Sequence, residues 1–245
     1  MTRRVIASAA AAAAFAMMMG TGYVTVHAEN NNSCGNGLPT AAQVRAYLQQ
    51  APDVEGDAGG LFHGRRMWAS VVNRAGQVCY AVASTDDPTD VWPGSQAIAK
   101  AKAYTANAFS LDILPLSTAR LYTFTQPGHS LWSLGQSNLF NSEKGLAVPT
   151  DPNGGRPLDG GLIFFGGGVP LYNQGALVGG LGISGDTSCT DHEIAKRVRN
   201  LAGLNPPGGE FADDIVYTNS VFAHPMCLNT FKNGAYVGEE KTAQY

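Results

Sequence analysis

The chain has 245 residues, a formal net charge of −3, 14% charged residues and 30 glycines. That length can bury one sizeable core, and no mid-chain linker calls for a second. The slightly acidic balance excludes the basic footprint of a nucleic-acid binder, and the low charged fraction points to surface hidden in a homo-oligomer.

Arg3 and Arg4 precede an uncharged run from Val5 to Gly20, and Val26-His27-Ala28 offers small residues to a signal peptidase. We expect a signal peptide over 1–28 and a mature chain that is periplasmic or secreted. The apolar run is too short and alanine-rich to hold a membrane span, and no transmembrane segment is expected in the mature chain. An N-terminal extension (29–63) carries a helix capped by Thr40, with Val44, Tyr47, Leu48 and Ala51 on one face. Pro52 to Gly60 reads as a loop.

Met67–Asn73 and Gln77–Ala83 are β-type runs around Arg74-Ala75-Gly76, a hairpin signal. Pro93 leads into a long alanine-rich helix, Ser95–Phe109, that aligns Ile98, Lys102, Thr105 and Phe109. Ser117 is expected to cap a shorter helix through Leu121 and Phe124, stopped by Pro127-Gly128. Asn138 to Asp159 is loop-like.

Leu162–Phe165 and Val169–Tyr172 look like strands around Gly166-Gly167-Gly168, and Ala176–Ser184 is the last strand. Thr187 or Ser188 caps a final helix with Ile194, Val198 and Leu201 inward, Asp191 and Glu193 at its positive end, and Gly203 after it. The tail, 205–245, holds too many aromatics (Phe211, Tyr217, Phe222, Phe231, Tyr236) for simple disorder. This order of hairpins and helices is that of an α+β domain, an antiparallel sheet covered by helices, over 64–204.

Four cysteines follow the export signal, and an oxidising compartment favours two disulfides. Of the three pairings, like with like is expected: Cys79–Cys189 within the core pattern and Cys34–Cys227 between the extensions. No Cys-x-x-Cys-His is present, so haem attached through cysteines is not expected. Chemistry-bearing groups concentrate at Gly182–His192, where Asp186, Cys189, Asp191, His192 and Glu193 crowd a strand-to-helix junction. Cys189 and His192 stand one helical turn apart.

Five blocks carry a resemblance: Met67–Asn73, Asp90–Ser95, Lys102–Ser110, Gly166–Tyr172 and Gly182–His192. In this order, from about Gly64 to Leu204, they resemble the GlcG/HbpS family of haem-binding or "haem-degrading" domains. The resemblance implies a profilin-like α/β/α architecture with a five-stranded antiparallel sheet, homo-oligomers, and haem or iron binding in some members. Relatives are linked to redox sensing and to small organic acids. Two features depart from the family: His129, where relatives usually show glycine, and the extensions bearing Cys34 and Cys227.

With haem as the implied non-covalent cofactor, His192 or His129 becomes the candidate iron or metal ligand. Lys102 or Arg66 would meet propionates, Thr105 would orient Lys102, and Tyr104 and Tyr172 would wall a flat ring. His63, near Arg65 and Arg66, could join a propionate site but reads more simply as part of a solvated basic loop. A rival is a periplasmic enzyme acting on a small organic acid or carbonyl compound through Lys102, Asp186 and His192. A third reading is a ligand-sensing partner of a membrane receptor.

Overall fold

Strands β2 (Trp68–Asn73) and β3 (Gln77–Ala83) form the expected hairpin, in which the Gly76 amide donates to the Asn73 carbonyl and Gly76 takes φ 83°. The computed structural model describes residues 34–35, 37–137, 156–157 and 161–241. The expected signal peptide and nearly all of the Asn138–Asp159 loop lie outside them. The other elements are α1 (Ala41–Gln50), β1 (Asp57–Gly59), α2 (Gly94–Phe109), α3 (Trp132–Ser137), β4 (Arg156–Pro157), β5 (Gly168–Asn173), β6 (Ala176–Ser184), α4 (Ser188–Leu201) and β7 (Thr230–Gly238).

Five strands form an antiparallel sheet in the order β4-β3-β2-β6-β5, and β1 pairs with β7 apart from it. Side chains alternate across a strand, which assigns the two faces. Ala69, Val71, Leu181 and Ile183 join Val44 and Leu48 of α1 and Ile194 and Val198 of α4 in the main core. The opposite face carries Gly168, Gly180 and Gly182 and receives α2.

A Cβ at Gly182 would lie 1.9 Å from the Ala99 carbonyl oxygen, and one at Gly180 would lie 2.2 Å from that of Ala103. The glycine run therefore lets helix backbone rest directly on strand backbone. The result is the expected α+β, α/β/α arrangement with five strands. Gly182→Ala should overpack this contact and cost about 1–3 kcal/mol, read as a lower denaturant midpoint.

The caps are as the residue types dictate. Thr40 and Gln43 form a reciprocal capping box at α1. Thr187 caps α4 by accepting from the Thr190 amide. Elsewhere long-range bonds override local pattern. Residues 118–125 form two 3-10 turns rather than a helix, because Ser117, Arg120 and Thr123 donate to tail carbonyls of Asp213, Asp214 and Ala223. Leu162–Phe165 is not a strand; the Ile163 amide donates to Thr105 Oγ1 instead.

The disulfides correct the expected pairing. Cys34 is bonded to Cys79 and Cys189 to Cys227, and no described cysteine is free. Cys79 lies on the sheet face covered by α1, where the N-terminal extension brings Cys34. Cys189 lies on the side of α4 turned to the tail, in a separate cluster with Ala119, Ile215 and Cys227. Each extension is stapled to the core layer it covers, so Cys79–Cys189 and Cys34–Cys227 do not form.

Candidate functional site

The Gly182–His192 junction is bonded throughout. The Asp186 carboxylate accepts from the amides of Leu61 and Phe62 at 2.7 Å each, Gly64 at 3.4 Å and Thr187 at 2.7 Å. Asp191 accepts from the Asp186 amide through one oxygen and from Lys102 Nζ, at 2.6 Å, through the other. Lys102 also donates to the Ile183 carbonyl and lies over the Phe165 ring. Burial raises the Asp191 pKa to about 6 against the pull of Lys102, and it lowers that of Lys102. Asp191 is thus the partner that ties α4 to α2 rather than a free helix-start carboxylate.

The tail covers the polar face of α4. His192 is 1% exposed; its Nε2 lies 3.1 Å from the Ile215 amide, which donates to it, and 3.4 Å from Asp214 Oδ1, and Nδ1 has no partner among the described residues. Glu193 and Lys196 bond each other and Asn233, and Lys196 also reaches Asp214. Arg199 makes a two-pronged pair with Asp213, and Arg197 donates to the carbonyls of Ala51, Glu55, Gly56 and Asp57. Burial tends to raise the Asp214 pKa, but His192, Lys196 and Lys232 outweigh it and hold the carboxyl well below its ordinary range.

His224 and the second disulfide adjoin this region. Cys189, Cys227 and His224 are the group of possible metal ligands among the described residues, with ligand atoms within 4.8 Å of one another. The sulfurs are bonded to each other, so the thiolates a metal would need are absent. His224 Nε2 accepts from the Gly166 amide and Nδ1 faces the Pro225 carbonyl at 2.7 Å, a pattern met by the neutral Nδ1–H tautomer.

Burial lowers the His224 pKa from 6.5 to about 4. A base with a depressed folded pKa stabilises the fold above its unfolded value, and that contribution is lost as pH falls from 6.5 through 4. The loss amounts to about 3 kcal/mol. Denaturant melts at pH 7 and pH 4 should therefore differ less in His224→Gln than in the parent; equal differences would rule His224 out.

The remaining expected site residues divide by exposure. Thr105 is buried and bonds back to the Ala101 carbonyl, and Tyr172 is buried with its hydroxyl on the Leu111 carbonyl. Tyr104 is half-buried against Val72, Val78 and Ala103. Arg66 and His129 are exposed. Lys102, Thr105, Tyr172 and His192 are thus each interior structure with separate partners, while Arg66 and His129 reach solvent.

A surface site also appears where the sequence suggested only a loop. A cleft of about 390 Å³ is lined by Pro52, Asp53, Gly56, Asp57, His63 and Arg65. His63 Nδ1 lies 2.9 Å from Asp57 Oδ1, and Arg65 pairs with Asp53 at 2.6 Å. The Asp57 pKa is pushed up by burial, yet bonds from Gly59 and His63 bring it below its ordinary value. An ionised Asp57 accepts the Nδ1 proton. Next in the loop, Phe62 packs edge-on against the exposed Trp92, and Arg66 lies over the Phe62 ring. The sequence signal was present in His63, Arg65 and Arg66; the contribution of Asp57 was not.

A family model described as "Haem degrading protein HbpS-like" matches residues 58–199. Among solved structures, the chain is similar to a PduOC–haem complex, with 24% identity over 67% of this chain and 93% of that one and a TM-score of 0.46. It is also similar to the protein ORFY of Klebsiella pneumoniae, with 21% identity, 66% and 87% coverage and a TM-score of 0.46. For a double mutant of HbpS from Streptomyces reticuli the values are 18%, 80%, 98% and 0.40. No curated protein matches the chain.

Proposed function

The chain belongs to the HbpS-like haem-degrading family, and on that premise we propose that it is an exported protein that binds haem non-covalently for carriage, buffering or sensing. The observation that carries this reading against the enzymatic one is the state of Lys102, Asp186 and His192. Lys102 and His192 are 0% and 1% exposed, and Asp186 is 8% exposed with its carboxylate taken by backbone amides. Groups committed in this way hold the fold, and none of these three faces a substrate as acid, base or anion binder.

Binding is therefore assigned to the surface, where Arg66 and His129 are available from the expected set. Haem would supply redox-active iron, and the chain would hold and orient it. Two disulfides suit an oxidising compartment, and no helix among the described residues is long and apolar enough to cross a membrane. The exported form should begin at Glu29, which mass spectrometry of the processed protein reads directly. Titration of that form with ferric haem should give a stoichiometric, shifted Soret band. A spectrum identical to free haem would overturn the proposal.

A further inference from the structure

We propose that reduction of the Cys189–Cys227 disulfide opens a buried site for a thiophilic dication of the zinc class, held by the two thiolates and His224. The site is separate from haem, and its test does not depend on haem binding. Four observations converge on it. The first is the gathering of ligand atoms. Both sulfurs and a ring nitrogen of His224 lie within 4.8 Å of one another, and all three residues are buried. Ligands around tetrahedral zinc stand about 3.3–3.8 Å apart, so the freed sulfurs need only move apart beside the ring. Two thiolates, a neutral imidazole and a dication carry no net charge together, which suits an interior position.

The second is what faces the sulfurs. Cys189 lies in the first turn of α4, and its amide donates to Cys227 Sγ at 3.2 Å. The Ser188 hydroxyl lies 3.3 Å from the same sulfur. The positive end of a 14-residue helix thus meets this pair and favours its thiolates. The third is the ring. His224 meets the Gly166 amide at Nε2 and the Pro225 carbonyl at Nδ1, so backbone groups set its plane. Metal-bound histidines are oriented in the same manner. With Nδ1–H on Pro225, the Nε2 lone pair is the donor, and a cation there displaces the Gly166 amide.

The fourth is the order of exposure. Cys227 is 7% exposed and Cys189 0%, so an incoming dithiol reductant meets Cys227 first. Its thiolate attacks Cys227 Sγ, the S–S bond breaks, and Cys189 leaves as a thiolate at the helix start. The second sulfur of the dithiol attacks the mixed disulfide and frees Cys227. The dithiol ends as a disulfide, having given up two electrons and two protons; the protons are released when the cation binds. The cation then replaces the bridge as the clip between tail and α4. Cys34–Cys79 belongs to no such group among the described residues.

Anaerobic reduction of the full chain followed by cobalt(II), a spectroscopic stand-in for zinc, should give thiolate-to-cobalt charge-transfer bands that zinc abolishes. The oxidised chain should give none. The bands should persist in Cys34→Ser with Cys79→Ser and vanish in Cys189→Ala with Cys227→Ala. His224→Gln keeps an acceptor for the Gly166 amide and should bind cobalt at least ~10-fold more weakly. Amide exchange of the reduced parent should rise across 205–241 without metal and fall again with zinc, so a loosened chain still reports. Absent bands, bands that survive loss of Cys189 and Cys227, equal affinity in His224→Gln, or tail exchange unmoved by zinc would each overturn the assignment.

Discussion

Replacing Lys102 by Met will lower the unfolding free energy by about 3–5 kcal/mol, the cost of leaving a buried charge without its partner. Lys102 and Asp191 have side chains 0% and 2% exposed and meet at 2.6 Å. With Lys102 gone, Asp191 keeps, among the described residues, only the Asp186 amide and must either hold an unpaired charge in the interior or take up a proton. The pair Lys102→Met with Asp191→Asn removes both charges and keeps an acceptor for that amide, so it should recover much of the loss. Guanidinium melts of the three proteins read this directly. A loss below about 1 kcal/mol for Lys102→Met, the scale of an exposed ion pair, would show that the site is wet. Haem affinity of folded Lys102→Met should equal that of the parent, which separates an interior scaffold from a propionate contact.

Removing the Cys189–Cys227 bridge by double alanine replacement should cost about 4 kcal/mol, the loop-closure entropy of a 38-residue separation. This bridge clips the tail to the first turn of α4, and the tail in turn supplies the partners of His192, Glu193, Lys196 and Arg199. Amide exchange should therefore rise first across 205–241 and along α4, with β2 and β3 still protected. Exchange that rises uniformly over the chain would contradict this. Peptide mapping without reduction should recover Cys34 joined to Cys79 and Cys189 joined to Cys227; a Cys79–Cys189 peptide would overturn the whole arrangement.

The elements that local pattern could reveal are those whose bonds are local. Thr40 with Gln43, Thr187 with Thr190, and Gly76 in its hairpin each satisfy partners three residues away, and all three were legible. Leu162–Phe165 has a strand-like composition, yet Thr105, 58 residues away from Ile163, takes the amide that a strand would have offered. Ser117 has the right type for a cap but serves Asp213 instead. The site divides in the same way. Arg65, Arg66 and His63 are neighbours in sequence and form one legible cluster. Asp57 orients His63 only because positive-φ residues at Glu55, Gly56, Gly59, Gly60, His63 and Gly64 fold the segment back on itself.

By itself the sequence determined the family, the α+β class, the cap of α1, the start of α4 at Thr187 or Ser188, and the glycine-rich strands on which α2 rests. These follow from residue type and from periods of two and 3.6, which act within a few positions. Only the tertiary structure decided what covers each face. The charged residues of α4 look like a solvated surface in one dimension and prove to be interior, because a tail distant in sequence supplies partners for Glu193, Lys196 and Arg199, segment 51–57 takes Arg197, and Lys102 takes Asp191. The same tail withdrew His192 from the surface.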